Sequence, residues 1–282
     1  LTANSTFTQA DIDNGLITYE HGGSETTGDS FNFSVGDGTT NISGGFNITV
    51  QPVNDPPTVI STGPLTVAEN ALVTVRNTIL NTTDPDTPSD QVVYTLSGAP
   101  IFGNLKRNTG ATLVAGSTFT QAEINAGIIT YQHNGSENAT DVFVFQVSDG
   151  TAPAQSGIVN INVTPVNDPP VLVSNNGISL SASSPTTRTL SNTNLRATDA
   201  DNTSPSQVFF RLTSVPNPTI GVLELNGTAL SVGQQFSQND INLGSVRYRY
   251  LGGGSSDGFQ FSVVDSGNVS GGSGFFTISF TS

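Results

Sequence analysis

The chain has 282 residues and a formal net charge of -14, with 30 Gly and 15 Pro and without Cys, Met or Trp. Its 22 acidic side chains outnumber 8 basic ones, and this charge disfavours nucleic acids and anionic membrane surfaces as partners while making metal cations the natural counter-charge. No apolar run approaches the roughly 20 residues of a membrane span, and a chain without cysteine has no disulfide scaffold.

The sequence repeats itself at a domain-sized period. The stretch STFTQADIDNGLITYEHGGSE returns as STFTQAEINAGIITYQHNGSE, and a weaker copy, QQFSQNDINLGSVRYRYLGGG, follows near the end of the chain. Such repetition indicates an array of similar modules. We therefore predict three parts: the C-terminal half of a repeat at residues 1–54 (the half-repeat), a complete repeat at 55–167 (the second repeat) and a complete C-terminal repeat at 168–282 (the third repeat).

Within each repeat the residue pattern is that of β-strands. VFVFQVSDG and GIVNINVTPV alternate apolar with polar residues, which buries one face of a strand and exposes the other. Six or seven such runs over about 110 residues, separated by Gly, Pro, Asn and Asp, predict a two-sheet antiparallel sandwich. The predicted fold is therefore all-β, a tandem array of Greek-key β-sandwiches.

One short helix is predicted between strands of each repeat. A Ser or Thr stands three residues before an acidic residue, as in a capping box, and a glycine follows soon after. The three sets are Thr8, Asp11 and Gly15; Thr120, Glu123 and Gly127; and Ser237, Asp240 and Gly244.

Acidic residues recur at matching turns of the two complete repeats. The pairs Asp84 and Asp86, and Asp199 and Asp201, precede a predicted strand, while Asp149 and Asp265 follow another. Aspartate is by itself a common turn residue. Alternating acids in a rigid turn, however, supply the oxygen ligands that Ca²⁺ prefers, and the recurrence of the whole set favours a metal.

The sequence resembles the chondroitin sulfate proteoglycan type of repeat, a relative of the cadherin domain found in animal surface proteoglycans and very large bacterial surface proteins. The motif PVNDPP occurs at residues 52–57 and 165–170, and FTQAEINAGIITYQHNGSE matches the signature of that repeat. LTVAEN at 65–70 and the following TDPDTPSDQVVY are similar to the opening of a cadherin domain. The resemblance covers nearly the whole chain and implies a cadherin-like fold.

The resemblance also implies calcium ions at each linker between repeats. At the first linker the implied ligands are Asn54 and Asp55 of the linker itself, Glu25 of the half-repeat, and Asp84, Asp86 and Asp149 of the second repeat. At the second linker they are Asn167 and Asp168, Glu69 and Glu137 of the second repeat, and Asp199, Asp201 and Asp265 of the third.

The two ends of the chain depart from the pattern. The third repeat has LSASSP at 180–185 and LGGGSSD at 251–257 where the second has glutamates, so we expect Ser282 to lie near the C-terminal end of the array. The half-repeat lacks the strands that should cover Phe31, Phe33 and Val35. Those strands belong either to an upstream part of a longer chain or to another copy that adds its strands in trans.

No motif of enzymatic chemistry is present. The two histidines, His21 and His133, occupy equivalent positions, and the third copy has Tyr250 there, which favours packing over catalysis. We therefore expect a non-enzymatic protein, secreted or at the cell surface, that serves as a stalk, an adhesin segment or a filament subunit made rigid by calcium. Its expected partners are neighbouring repeats, other copies, or a surface glycan or protein. A ligand-binding module on the same scaffold, or a spacer in a large secreted enzyme, are the alternatives.

Overall fold

A computed structural model describes residues 1–182 and 186–281 of the chain. It divides into two compact units, Leu1–Thr164 and Pro165–Ser282. The first unit contains the half-repeat and most of the second repeat, and the second unit contains the third repeat. Within the LSASSP stretch, residues 183–185 lie outside the described residues, as does Ser282.

The half-repeat contains one short helix and one β-hairpin. Helix α1 is Gln9–Asp13. Strands β1 (Gly28–Gly36) and β2 (Asn41–Thr49) pair antiparallel along their whole length. Because no further described strand pairs with either of them, this hairpin is a two-stranded sheet.

The second repeat is a β-sandwich. A five-stranded sheet in the order β10-β7-β12-β13-β4 faces a four-stranded sheet in the order β5-β11-β8-β9, and β3 pairs with β6 at one end. The bounds are β3 Thr58–Thr62, β4 Leu65–Ala68, β5 Leu72–Thr74, β6 Leu80–Thr83, β7 Val93–Gly98, β8 Gly103–Arg107, β9 Thr112–Leu113, β10 Thr118–Thr120, α2 Gln121–Asn125, β11 Ile129–His133, β12 Thr140–Ser148 and β13 Gln155–Thr164.

The third repeat has the same topology. Its sheets run β15-β24-β23-β18-β21 and β16-β22-β19-β20, with β14 paired to β17. The bounds are β14 Val171–Asn175, β15 Ile178–Ser181, β16 Thr186–Thr189, β17 Leu195–Thr198, a 3-10 turn Pro205–Gln207, β18 Val208–Leu212, β19 Gly221–Leu225, β20 Thr228–Ala229, β21 Gln235–Ser237, α3 Gln238–Asn242, β22 Val246–Tyr250, β23 Ser256–Asp265 and β24 Ser270–Thr281.

Alternation along the strands builds a separate core in each complete repeat. In β12, Phe143, Phe145 and Val147 are buried, whereas the intervening residues are not. Phe259, Phe261 and further apolar side chains do the same in the third repeat. The predicted sandwich of alternating strands is thus confirmed.

The three predicted helical turns are also present. In each, the Ser or Thr before the helix accepts a hydrogen bond from the backbone amide three residues on, and the acid at that position bonds back, which is a complete capping box. The glycines that follow, Gly15, Gly127 and Gly244, all have positive φ, the conformation in which glycine carries no steric cost.

Each hairpin near the end of a repeat places a phenylalanine opposite a glycine. The pairs are Phe33 with Gly44, Phe145 with Gly157, and Phe261 with Gly274. A Cβ atom on Gly157 would lie 2.4 Å from the ring of Phe145. The glycine is therefore required because the ring lies across its strand.

Candidate calcium sites at the linkers

The two complete repeats fold their D-x-D loops, residues 84–86 and 199–201, in the same way. One carboxylate oxygen of Asp84 accepts the backbone amides of Asp86 and Thr87, at 3.0 and 2.8 Å. Oδ1 of Asp199 likewise accepts the amide of Asn202 at 2.7 Å. The other carboxylate oxygen of each aspartate is buried and has no hydrogen-bond partner. A buried carboxylate oxygen without a donor is costly unless a cation lies beside it.

Each linker is held against the loop that follows it. At the first linker, Asn54 Nδ2 donates to Asp149 Oδ2 at 2.7 Å, and the amide of Asp55 donates to Asp86 Oδ2 at 2.6 Å. The linker Asn-Asp pair, the second acid of the D-x-D loop and the acid after the long strand therefore converge.

The second linker repeats these contacts within the second unit. Asn167 Nδ2 donates to Asp265 Oδ2 at 2.6 Å, and the amide of Asp168 donates to Asp201 Oδ2 at 2.5 Å. The structure thus brings five of the seven acids and amides that the sequence predicted for this linker into one cluster.

The acids after the long strands are anchored by their own turns. Asp149 Oδ1 accepts the amides of Thr151 and Ala152 at 2.8 Å, and Asp265 Oδ1 accepts the amide of Val269 at the same distance. The hydrogen bond from Asn54, followed by that from Thr151, lowers the pKa of Asp149 below its ordinary value. This carboxylate is therefore ionised at neutral pH and available to a cation.

Glu25 of the half-repeat reaches the first linker. One carboxylate oxygen from each of Glu25, Asp55 and Asp86 lies within 4.8 Å of the others. A hydrogen bond with Asp86 raises the pKa of Glu25, and the negative charges around it act in the same direction. The amide of Asp55 lowers the pKa of Asp86. The carboxylates of Glu25 and Asp86 are therefore close enough for one divalent cation to bind both.

The two acids that the resemblance assigned to the second linker lie at one end of the second repeat. Glu69 directly follows β4, is buried, and donates its amide to the carbonyl of Thr164 at 2.9 Å. Glu137 is exposed in the loop between β11 and β12. Both belong to the first unit, and their assignment to the second linker stays a prediction.

The donor sets fit a hard divalent cation. Carboxylates dominate, the linker asparagines add neutral amide oxygens, and the described residues of each set contain neither cysteine nor histidine. Calcium takes six to eight such oxygens in flexible geometry. The residues that would hold it at the first linker are Glu25, Asn54, Asp55, Asp84, Asp86 and Asp149.

Sequence reasoning overlooked one polar residue at the second linker. Asn202, at 8% exposure, lies among the predicted ligands and contacts Asn167, Asp199 and Ser266. Its position follows the D-x-D motif directly, where the second repeat has Thr87. That difference between aligned repeats was the available signal.

A sequence profile described as cadherin-like matches residues 2–50, 57–163 and 170–280. The chain belongs to the cadherin-like family. The fold agrees, since the crystal structure of protocadherin gamma C5 EC1-3 is similar with a TM-score of 0.51, at 16% identity, over 99% of this chain and 82% of that one. The predicted resemblance and the all-β fold class are therefore confirmed.

Relatives of the family lie outside the cell. The chain is 30% identical to human extracellular matrix organizing protein FRAS1, over 93% of this chain and 7% of that protein. It is also 30% identical to extracellular matrix protein 3 of Lytechinus variegatus, over 93% and 9%, and to mouse chondroitin sulfate proteoglycan 4, over 87% and 10%. The chain thus spans a tenth or less of these relatives, and their extracellular character confirms the predicted location. Among the described residues, none of the helices has the length and hydropathy to cross a membrane.

Proposed function

We propose that this chain is a structural and adhesive stretch of extracellular repeats whose linkers bind Ca²⁺ and become rigid. The observation that carries the proposal is the orphaned carboxylate oxygen that recurs at Asp84 and Asp199. Two equivalent loops bury the same oxygen without a donor, and a cation is the ligand that satisfies it. Glu69 and Glu137 complete the second set in this proposal.

A bound calcium ion would offset the electrostatic repulsion among the carboxylates at each linker. Carboxylates within a few ångströms repel one another. At the first linker the hydrogen bond with Asp86, and then the charges of the nearby aspartates, raise the pKa of Glu25. A divalent ion replaces the repulsion by shared coordination, which fixes the linker relative to the loops that hold it. The chain's own residues position the ligands. The Asn-Asp pair contacts the D-x-D loop, and hydrogen bonds within the turns occupy one oxygen each of Asp84 and Asp199 and leave the other for the ion.

The proposal is tested by removing calcium. In excess chelator, the melting temperature should fall and small-angle scattering should show a broader distribution of dimensions than with 2 mM calcium, a concentration on the order of that used by weak extracellular sites. Magnesium at the same concentration is the control, since it demands stricter octahedral geometry. Identical melting curves and scattering with calcium and with chelator would refute the calcium proposal.

We propose a structural role in place of the alternative of glycan binding. Sugar-binding faces commonly offer exposed aromatic side chains. Among the described residues of the two complete repeats, Phe275 is the one phenylalanine or tyrosine that is clearly exposed. Most of the other aromatic rings of these repeats are buried in the cores, where they stabilise the sandwiches.

We further propose that the half-repeat is completed by the other half of a repeat of the same kind. Phe31, Val35 and Phe46 are 41, 61 and 54% exposed, whereas their counterparts in the second repeat are fully buried. The side chains that contact the corresponding strands in the second repeat have counterparts in the half-repeat, and these counterparts already make the same local hydrogen bonds. Tyr19 donates to Asp29 at 2.9 Å, as Tyr131 does to Asp141, and Gln9 donates to Asp13, as Gln121 does to Asn125.

The completing segment should resemble residues 57–117 and come either from the same longer chain or from another copy. Light scattering on the 282-residue chain distinguishes these sources, because completion in trans requires a dimer or larger assembly. Hydrogen exchange then reports whether the β1–β2 hairpin is covered. A monomer whose hairpin amides near Phe31 and Phe46 are fully protected, with no added chain, would contradict the proposal.

A further inference from the structure

The two linkers differ at two equivalent positions beside their acidic residues. At the first, Thr87 follows the D-x-D loop and Gly150 follows Asp149; at the second, the equivalent residues are Asn202 and Ser266. Thr87 contributes its backbone amide to Asp84. Asn202 contributes its amide to Asp199 and its side chain to further contacts.

The Asn202 side chain bridges three segments of the second unit. Its Nδ2 donates to Asn167 Oδ1 at 3.3 Å and, more weakly, to Asp199 Oδ1 at 3.4 Å. Its Oδ1 accepts the hydroxyl hydrogen of Ser266 at 2.7 Å. The linker, the D-x-D loop and the end of β23 are thus joined through one buried amide.

We infer that Asn202 is a positioning residue that orders the second linker before an ion binds, an inference that rests on the proposed calcium function. Asn167 Oδ1 has two lone pairs, so accepting a hydrogen bond from Asn202 leaves one for a cation. The second linker therefore loses less freedom on binding than the first, where no equivalent side-chain bridge occurs among the described residues. Preorganisation of this kind increases affinity without a new ligand.

The consequence is a graded response. As calcium falls, the first linker releases its ions and loosens at a concentration at which the second remains occupied. The chain would then flex at one linker while staying rigid at the other. Both linkers carry the same Asn-Asp pair and the same three aspartates of the following repeat, but the second is assigned two glutamates, Glu69 and Glu137, and the first only Glu25. The contribution of Asn202 is therefore measured by comparing variants of the second linker with the wild type.

The test compares the wild type with Asn202→Thr, which installs the residue of the first linker, and with Ser266→Gly, which installs the residue that follows Asp149. Hydrogen exchange in chelator measures how well the amides of residues 166–168 are protected when no ion is bound. Calcium titration by calorimetry measures the affinity of the sites. Both variants should speed exchange at 166–168, and Asn202→Thr should weaken the tighter class of calcium sites by roughly five- to tenfold, as expected for the loss of a buried hydrogen bond.

Thr87→Ser is the matched control, because Thr87 acts through its backbone, and it should change neither exchange at 166–168 nor the tighter sites. Unaltered exchange at 166–168 in a folded Asn202→Thr variant would overturn the inference. Absence of calcium binding by the wild type would instead overturn the proposed function, while faster exchange in the variant would still establish the ordering role of Asn202. Circular dichroism melting of each variant confirms that it is folded.

Discussion

The phenol of Tyr131 donates a hydrogen bond to Asp141 at 2.8 Å, and the same carboxylate accepts the backbone amides of Ile101 and Phe102 at 3.0 Å each. Tyr131 lies on the four-stranded sheet and Asp141 on the five-stranded one. One buried aspartate therefore ties both sheets of the second repeat to the loop before β8. Burial, and then the hydrogen bond to Asp141 and its charge, raise the pKa of Tyr131, so the phenol keeps its proton well above neutral pH.

Removing Asp141 should destabilise the second repeat strongly. Asp141→Ala leaves the buried phenol of Tyr131 and two partly buried backbone amides without this acceptor, and we expect a loss of about 3 kcal/mol in the free energy of unfolding. Tyr131→Phe removes one donor and should cost about 1 kcal/mol. Tyr19→Phe in the half-repeat is the control, since Tyr19 is 46% exposed. Denaturant melts measure all three, and equal losses for Asp141→Ala and Tyr131→Phe would contradict this account.

Each D-x-D loop should serve its own linker. Asp84→Asn keeps the size of the side chain but removes the negative charge beside a buried cation, so the sites of the first linker should be lost. Asp199→Asn should abolish those of the second. Calorimetry counts the ions that remain, and each variant should retain one class of sites. Loss of all calcium binding in either variant would show that the two linkers do not act separately.

The glutamates of the second repeat should act on the second linker. We expect Glu137→Ala and Glu69→Ala each to weaken calcium at the site of Asn167 and Asp168 by about tenfold, as for the loss of one charged ligand. Asp90→Ala is a charge-matched control in the same repeat, at an exposed position. Calorimetry that shows Glu137→Ala sparing the second linker would refute the assignment.

Calcium binding at the first linker should release protons in mildly acidic solution. The pKa of Glu25 is raised by its hydrogen bond with Asp86, so below that pKa the ion must displace a proton. Affinity should therefore fall as the pH decreases, and proton release should be larger at about pH 5 than at about pH 7.5. Calorimetry in two buffers of different ionisation enthalpy measures the release. The Glu25→Gln variant should release fewer protons at the lower pH, and equal release by both proteins would count against Glu25.

Local patterns made much of the fold predictable. The capping box at Thr120 and Glu123 and the alternation of Phe143 and Phe145 depend on neighbours in the chain, and these elements occur where the pattern placed them. The contact between Asn202 and Asn167 depends on how a loop and a linker meet in space, and no spacing in one sequence encodes that. Repetition helped for the acids because equivalent positions carry them in both complete repeats. For Asn202 the repeats offer only a difference, since Thr87 stands at the equivalent position, and a difference does not say what the side chain contacts.

The pairing of a phenylalanine ring with a glycine across the last hairpin has a consequence for how such arrays lengthen. Since Phe33 and Gly44, Phe145 and Gly157, and Phe261 and Gly274 share one register, a genetic crossover inside the hairpin of one repeat and that of another joins a ring to a matching gap. The recombined gene then encodes one repeat more or fewer, and each phenylalanine ring still lies opposite a glycine. Length can therefore change in whole repeats while this contact of the core is retained.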